Sequence, residues 1–324
     1  MGRHLERAAR ALGLSGALCD MREAYRAPAL VRAVNWRLRG RRPARLRAFC
    51  RDLLHVCEQV RPDCLLTTGL APLDPAALRR LGERGVRRIN YLTDDPWSPV
   101  HHAPWFIAAL RHYDRVFSPR RANLDDLRRA GARGVAYLPF AYAPDVHFPD
   151  PPADEDERAR FAADVVFVGG ADRDRLEWVR PLIAAGFRVA LYGGYWDRFP
   201  ETRALWKGMA DAETVRKAIG GAATALCLVR RANRDGHSMR SFEVPAIGAC
   251  MLVEDTIEHR EIFGDDLAAV AYVSSPQHAV RRLQTLLPLE LERRRLREAA
   301  HRLIRTSSNT WQARLERMIA EAEP

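Results

Sequence analysis

The sequence of 324 residues predicts an α/β protein of two doubly wound, parallel-sheet domains. Three observations carry that expectation. Short β-branched or apolar runs alternate with amphipathic helical stretches almost throughout, as parallel strands joined by crossover helices require. The alternation breaks once, between Pro139 and Ala163, where five prolines and the acidic run Asp154–Glu157 read as a linker. The length suits two domains of about 150 residues each rather than one core.

In the first half, strands are expected at Cys64–Thr68, Val86–Thr93, Arg115–Phe117 and Val135–Leu138. Helices lie between them, near Pro43–Val60, Pro75–Glu83, Pro104–His112 and Asn123–Ala130, with Gly69 and Gly131 as punctuation. The second series runs through strands Asp164–Val168, Arg188–Tyr192, Thr224–Val229, Cys250–Val253 and Ala269–Val273. Its helices are expected at Arg173–Ala185, Asp211–Ile219, Ser241–Ile247 and Gln277–Leu286. From Leu289 to Glu323 the chain reads as charged helix with a break at Ser307–Asn309. The resulting domains are 1–149, a linker 150–163, a second domain 164–300, and a helical segment 301–324 packing back toward the first domain.

Composition narrows the classes. With 47% hydrophobic and 29% charged residues, the chain is of the soluble globular kind. No apolar run approaches the roughly 18–20 residues needed to span a bilayer. The charged N-terminus does not suit a signal peptide, so a cytoplasmic protein is expected. Six cysteines without ligand spacing read as reduced core thiols, Cys50 and Cys57 sharing one helix face. The net charge is +11, and of 52 basic residues only Lys207 and Lys217 are lysines. Such a surface attracts phosphates, but the basic residues are spread along the chain and no nucleic-acid module is recognisable. Eight arginines between Arg32 and Arg51, with Trp36, Leu38 and Phe49 among them, read either as a solvated helix face or as an anion contact. The anion would be a membrane at its inner face, or a phosphorylated or lipid-linked acceptor.

In doubly wound sheets, ligands sit beyond the carboxyl ends of strands. The stretch Asp235–Cys250 follows a strand and opens a short helix, which offers backbone N–H groups and a partial positive charge to a diphosphate. Ser238 and Ser241 can each serve as N-cap. Arg240 supplies a guanidinium fork for phosphate oxygens. Glu243, an acceptor when ionised, suits a pair of ribose hydroxyls, and Asp235 suits sugar hydroxyls. In the first half, Thr93-Asp94-Asp95-Pro96 sits at a strand end, where Asp94 can orient an acceptor hydroxyl or take its proton, or can simply shape a turn.

The segment Asp235-Gly-His-Ser-Met-Arg-Ser-Phe-Glu-Val-Pro-Ala-Ile-Gly248 resembles the donor signature of group 1 glycosyltransferases of the GT-B fold. Its nearest likeness is to the CgeB-like spore-maturation group. The broader family has Glu where this chain has the shorter Asp235. By the same resemblance, Val165–Gly170 with Arg173 and Arg175 looks like the first strand and phosphate loop of a donor domain, implicating Gly169, Gly170 and Arg175. Tyr192-Gly193-Gly194-Tyr195-Trp196 looks like the family's next strand end, with Trp196 either stacking on the base or wedged in the core. One histidine of the pair His101-His102, with His101 the first candidate, would reach the donor sugar.

The resemblance implies two Rossmann-like domains facing a central cleft. The reaction would move a sugar from a nucleoside-diphosphate sugar to an unknown acceptor with retention, needing no metal and no cofactor. Relatives open with a strand and a glycine-rich loop, whereas this chain starts in a helix over Arg3–Leu12. A first domain lacking its first strand is therefore expected, through a late start or a trimmed acceptor domain. Two other functions fit the same shell: a nucleotide-sugar epimerase or hydrolase, and an inactive binding protein. The latter has no reason to keep Asp235 and Glu243 in a phosphate loop.

Overall fold

The structure, a computed structural model, describes residues 1–306 and 308–321. Ser307 of the expected break and Glu323 at the end of the expected helical tail lie outside the described residues. The chain forms two compact units. Unit 1 comprises Met1–Pro139, Ala232–Asp235 and the residues from Trp311 onward; unit 2 comprises Phe140–Arg231 and Gly236–Thr310.

Unit 1 opens with helices α1 (Gly2–Ala11), α2 (Ala29–Leu38) and α3 (Leu46–Val60). Then β1 (Cys64–Thr68), α4 (Pro75–Glu83), β2 (Arg87–Tyr91), α5 (Pro104–Ile107), β3 (Arg115–Ser118), α6 (Leu124–Arg129) and β4 (Gly134–Tyr137) alternate. The helix expected to reach His112 ends as α5 at Ile107, and a separate 3₁₀ turn covers Leu110–His112. All four strands are parallel in the order β1-β2-β3-β4, so this sheet has no reversal of strand order. Leu53 and Leu54 of α3, Leu78 and Leu81 of α4, Phe106 and Val116 share its core. Cys50 and Cys57 lie in the same cluster, on the buried face of α3. Strand β1 is the edge and is only half-buried along its length.

Unit 2 runs α7 (Glu155–Phe161), β5 (Ala163–Val168), α8 (Arg173–Ala184), β6 (Val189–Tyr192), α9 (Ala212–Gly221) and β7 (Ala222–Cys227). It continues through α10 (Arg240–Ile247), β8 (Met251–Glu254), α11 (Ile257–Phe263), β9 (Ala271–Val273), α12 (Pro276–Leu286) and α13 (Glu290–Thr306). In the segment read as a linker, the acidic run is the first turn of α7. Asp154 caps it by accepting from Glu157 N–H at 2.8 Å, where carboxylates complement the helix dipole. The five parallel strands take the order β6-β5-β7-β8-β9. The chain thus starts at β5, steps out to β6 and returns past β5 to β7, so the direction of winding reverses between β5 and β7. Side-chain N-caps set the helix starts that follow: Asp172 for α8, Asp211 for α9, Thr256 for α11 and Ser275 for α12.

The last helix, α14 (Trp311–Ala320), belongs to unit 1, where it packs against α1. Trp311 meets the buried Tyr91 edge-on, with ring centroids 5.8 Å apart. Arg314 Nε donates to the Pro139 carbonyl at 2.9 Å. Among the described residues no helix is long and apolar enough to cross a membrane.

Candidate active site

The reversal between β5 and β7 leaves a crevice at the carboxyl ends of those strands, the place where open α/β sheets receive ligands. Gly169 and Gly170 leave β5 there. Gly169 N–H donates to Tyr192 O at 2.8 Å, and Gly169 O accepts from Trp196 Nε1 at 2.8 Å. Trp196 is fully buried and braces this loop, so it is not a platform for a base. The neighbouring loop approaches so closely that a Cβ on Gly193, whose φ is +126°, would collide with the Gly169 carbonyl oxygen. Arg175 lies at the same loop. Its Nη1 donates to Gly170 O at 2.7 Å and its guanidinium lies 5.5 Å from the Phe167 ring, which folds it back onto its own loop.

Helix α10 supplies the opposite wall. Its N-cap residue is Met239, with no side-chain cap, rather than Ser238 or Ser241. Ser241 Oγ instead accepts from Ser238 N–H at 3.0 Å and lies 2.8 Å from His259 Nε2. His259 Nδ1, 2.7 Å from the Glu254 carbonyl, carries the ring proton, so Nε2 accepts from the serine. Burial holds the His259 pKa down at about 4, which keeps the ring neutral. The backbone N–H groups of Met239 and Arg240 have no acceptor among the described residues and remain available to an anion. Arg240 joins the two walls: its Nε donates to Val168 O at 3.1 Å, and its Nη1 pairs with Glu243 Oε2.

Glu243 is buried, and its other oxygen faces His147 Nε2 at 3.7 Å. His147 Nδ1 accepts from Ala143 N–H at 3.0 Å, which puts the ring proton on Nε2, toward the carboxylate. Burial depresses the His147 pKa, and the nearby Glu243 charge partly offsets this. A third buried histidine, His237, accepts from Phe140 N–H at 3.2 Å through Nε2 and presents Nδ1 to Glu258 at 3.0 Å. Unit 2 therefore brings together Gly169, Gly170, Arg175, Arg240 and Glu243, with Ser238 at the helix entrance. His147 was missed because a lone histidine in a proline-rich stretch carries no pattern.

Unit 1 holds the remaining candidates. Asp94 is part-exposed, with Thr93 Oγ1 at 3.3 Å and His101 Nε2 at 4.0 Å. The Tyr25 phenol has its pKa pushed up to about 12, first by burial and then by the Asp94 charge. Asp95 is fully buried and takes both arms of Arg234, at 2.6 and 3.1 Å. Asp235, assigned to the sugar from sequence, also belongs to unit 1. Its carboxylate is engaged by Arg120 Nε, and the two side chains retain only 5% and 2% exposure. Arg120 escaped notice because it lies 115 residues from its partner.

Residues 173–320 match the family model described as glycosyl transferase-like. That match covers a little under half of the chain and supports a glycosyltransferase. Among curated proteins, none matches the sequence significantly. Solved structures do resemble it. Sucrose-phosphate synthase from Thermosynechococcus elongatus aligns with a TM-score of 0.62 at 13% identity, covering 86% of this chain and 77% of its own. A trehalose-6-phosphate structure from E. coli bound with UDP-2-fluoro glucose aligns at 0.61 and 14% identity, covering 91% and 82%. Anabaena HepE in complex with UDP-glucose aligns at 0.62 and 9% identity, covering 84% and 81%. At such identities the likeness shows the fold, and the enzyme has the GT-B fold.

Proposed function

We propose that the enzyme transfers a glycosyl group from a nucleoside-diphosphate sugar to a hydroxyl-bearing acceptor, with retention and without a metal, in the manner of the CgeB-like group. The observation that carries this reading is the cluster at the β5–β7 reversal. Arg240 spans from the Val168 carbonyl to Glu243, and the backbone N–H groups of Met239 and Arg240 have no acceptor among the described residues. The N–H groups and Arg240 would hold the diphosphate and stabilise the charge that grows as the bond to the anomeric carbon breaks. Glu243, its carboxylate fixed between Arg240 and His147, would accept from the ribose hydroxyls. The acceptor oxygen forms the new bond to the anomeric carbon, and its proton passes to Asp94 or to the departing diphosphate. His101 would contact the sugar. Asp235, already engaged by Arg120, would act by holding its loop in place.

UDP is the first nucleotide to test, because two of the similar structures carry UDP sugars. Thermal unfolding with UDP, GDP, ADP and dTDP should show one nucleotide raising Tm. At a concentration of a hundred times Kd, the added stability is about 2.7 kcal/mol. The Glu243→Gln variant should bind that nucleotide at least about tenfold more weakly, the loss of a charge-assisted hydrogen bond. A chain whose melting point ignores all four nucleotides would sink the proposal.

A further inference from the structure

Helix α2 carries an apolar stripe that none of the described residues covers. Leu30, Val34 and Leu38 recur at four-residue spacing and so share one face, with Val31 beside them. Leu30 is 78% exposed and Leu38 79%, and Asn35 is the helix's one buried residue. A buried helix would hide such a stripe, and a solvated one would not carry it.

Beside this stripe lies a strongly cationic surface. Residues 24 to 51 contain no Asp or Glu, and eight arginines fall between Arg32 and Arg51. Among the described residues none of those eight has a carboxylate within ion-pair distance, although salt bridges are common elsewhere in the molecule. An open hollow of about 780 Å³ is lined by Arg39, Arg42, Arg45, Arg47 and Arg51, with Trp105 at its wall. None of these residues belongs to the candidate donor site.

We propose that this face docks on a membrane rich in anionic lipid. The leucines would enter the acyl boundary, and the arginine hollow would take phosphate-bearing headgroups. Two arguments select this occupant. A symmetric contact with a second copy would set the arginine surface against itself. A soluble polyanion would leave Leu30 and Leu38 without a role. An interfacial helix, by contrast, combines an apolar face with flanking arginines. The proposal stands apart from the donor reading.

The test is co-sedimentation of the full chain with vesicles of phosphatidylcholine, alone or mixed with phosphatidylglycerol. Binding is expected only to the mixed vesicles and should fade as salt rises. The R39S/R42S/R45S variant should bind about a hundredfold more weakly, at about fivefold per arginine. The L30S/L38S variant should lose at least about tenfold. Both should keep wild-type nucleotide-induced melting shifts or, if no nucleotide binds, the wild-type melting temperature, as folding controls. Equal binding to both vesicle types, or none to either, would overturn the proposal. So would inhibition of vesicle binding by millimolar inorganic phosphate alone, which would mark a soluble-anion site. Sedimentation velocity gives the last arm: a dimer that L30S/L38S dissociates would mean that a second copy covers the stripe.

Discussion

Asp235 and Glu243, the two acids of the motif, have opposite surroundings. Glu243 is held by Arg240, which is still a third exposed, at the mouth of the β5–β7 crevice. Asp235 is locked to Arg120 in near-complete burial. A buried charge that loses its partner is costly, so Arg120→Ala should destabilise the protein by about 3–5 kcal/mol in urea unfolding. Replacing both by apolar residues, as in Arg120→Met with Asp235→Leu, should recover most of that loss. His259 gives a second prediction. Its pKa is about 4 folded and about 6.5 unfolded, so the unfolded chain binds more protons between those values. Stability should be fully present above pH about 6.5 and fall toward pH about 4, by on the order of 3 kcal/mol. Urea midpoints measured across that range should follow this slope, and His259→Gln should flatten it.

At the scale of elements, the donor crevice depends on two loops whose backbones nearly touch. Gly193→Ala should cost about 1–3 kcal/mol from its backbone angle, and more from collision with the Gly169 carbonyl. Calorimetry should show nucleotide affinity falling with it, because the Gly169–Gly170 turn must shift. Much at this scale was legible in the sequence. The helices expected at Arg173–Ala185, Asp211–Ile219 and Gln277–Leu286 formed within a few residues of those bounds, and the apolar runs at Cys64–Thr68 and Asp164–Val168 became strands. The Arg240 and Glu243 positions were legible because a motif on one helix keeps its spacing when folded. What escaped was long-range or ambiguous. Acidic residues after prolines read as linker but were the first turn of α7. Arg175 read as a phosphate ligand, and here its guanidinium donates to the Gly170 carbonyl of its own loop. Strand order, which makes the crevice, depends on pairings no local pattern encodes.

For the whole molecule, unit 1 is assembled from three stretches of chain. Its first 139 residues contain Arg120 and Asp95 but not Asp235 or Arg234, nor the Trp311 that covers Tyr91. A fragment of residues 1–139 should therefore lack a cooperative urea transition by circular dichroism, whereas the full chain should show one. The four-residue excursion Ala232–Asp235 also bears on ancestry and engineering. A recombination event that exchanged everything after residue 139 would bring in a foreign Arg234 and Asp235, to be judged against resident Asp95, Arg120 and Asp126. Chimeras between such enzymes should therefore succeed when those five positions travel together as one inherited block, wherever else the splice is made.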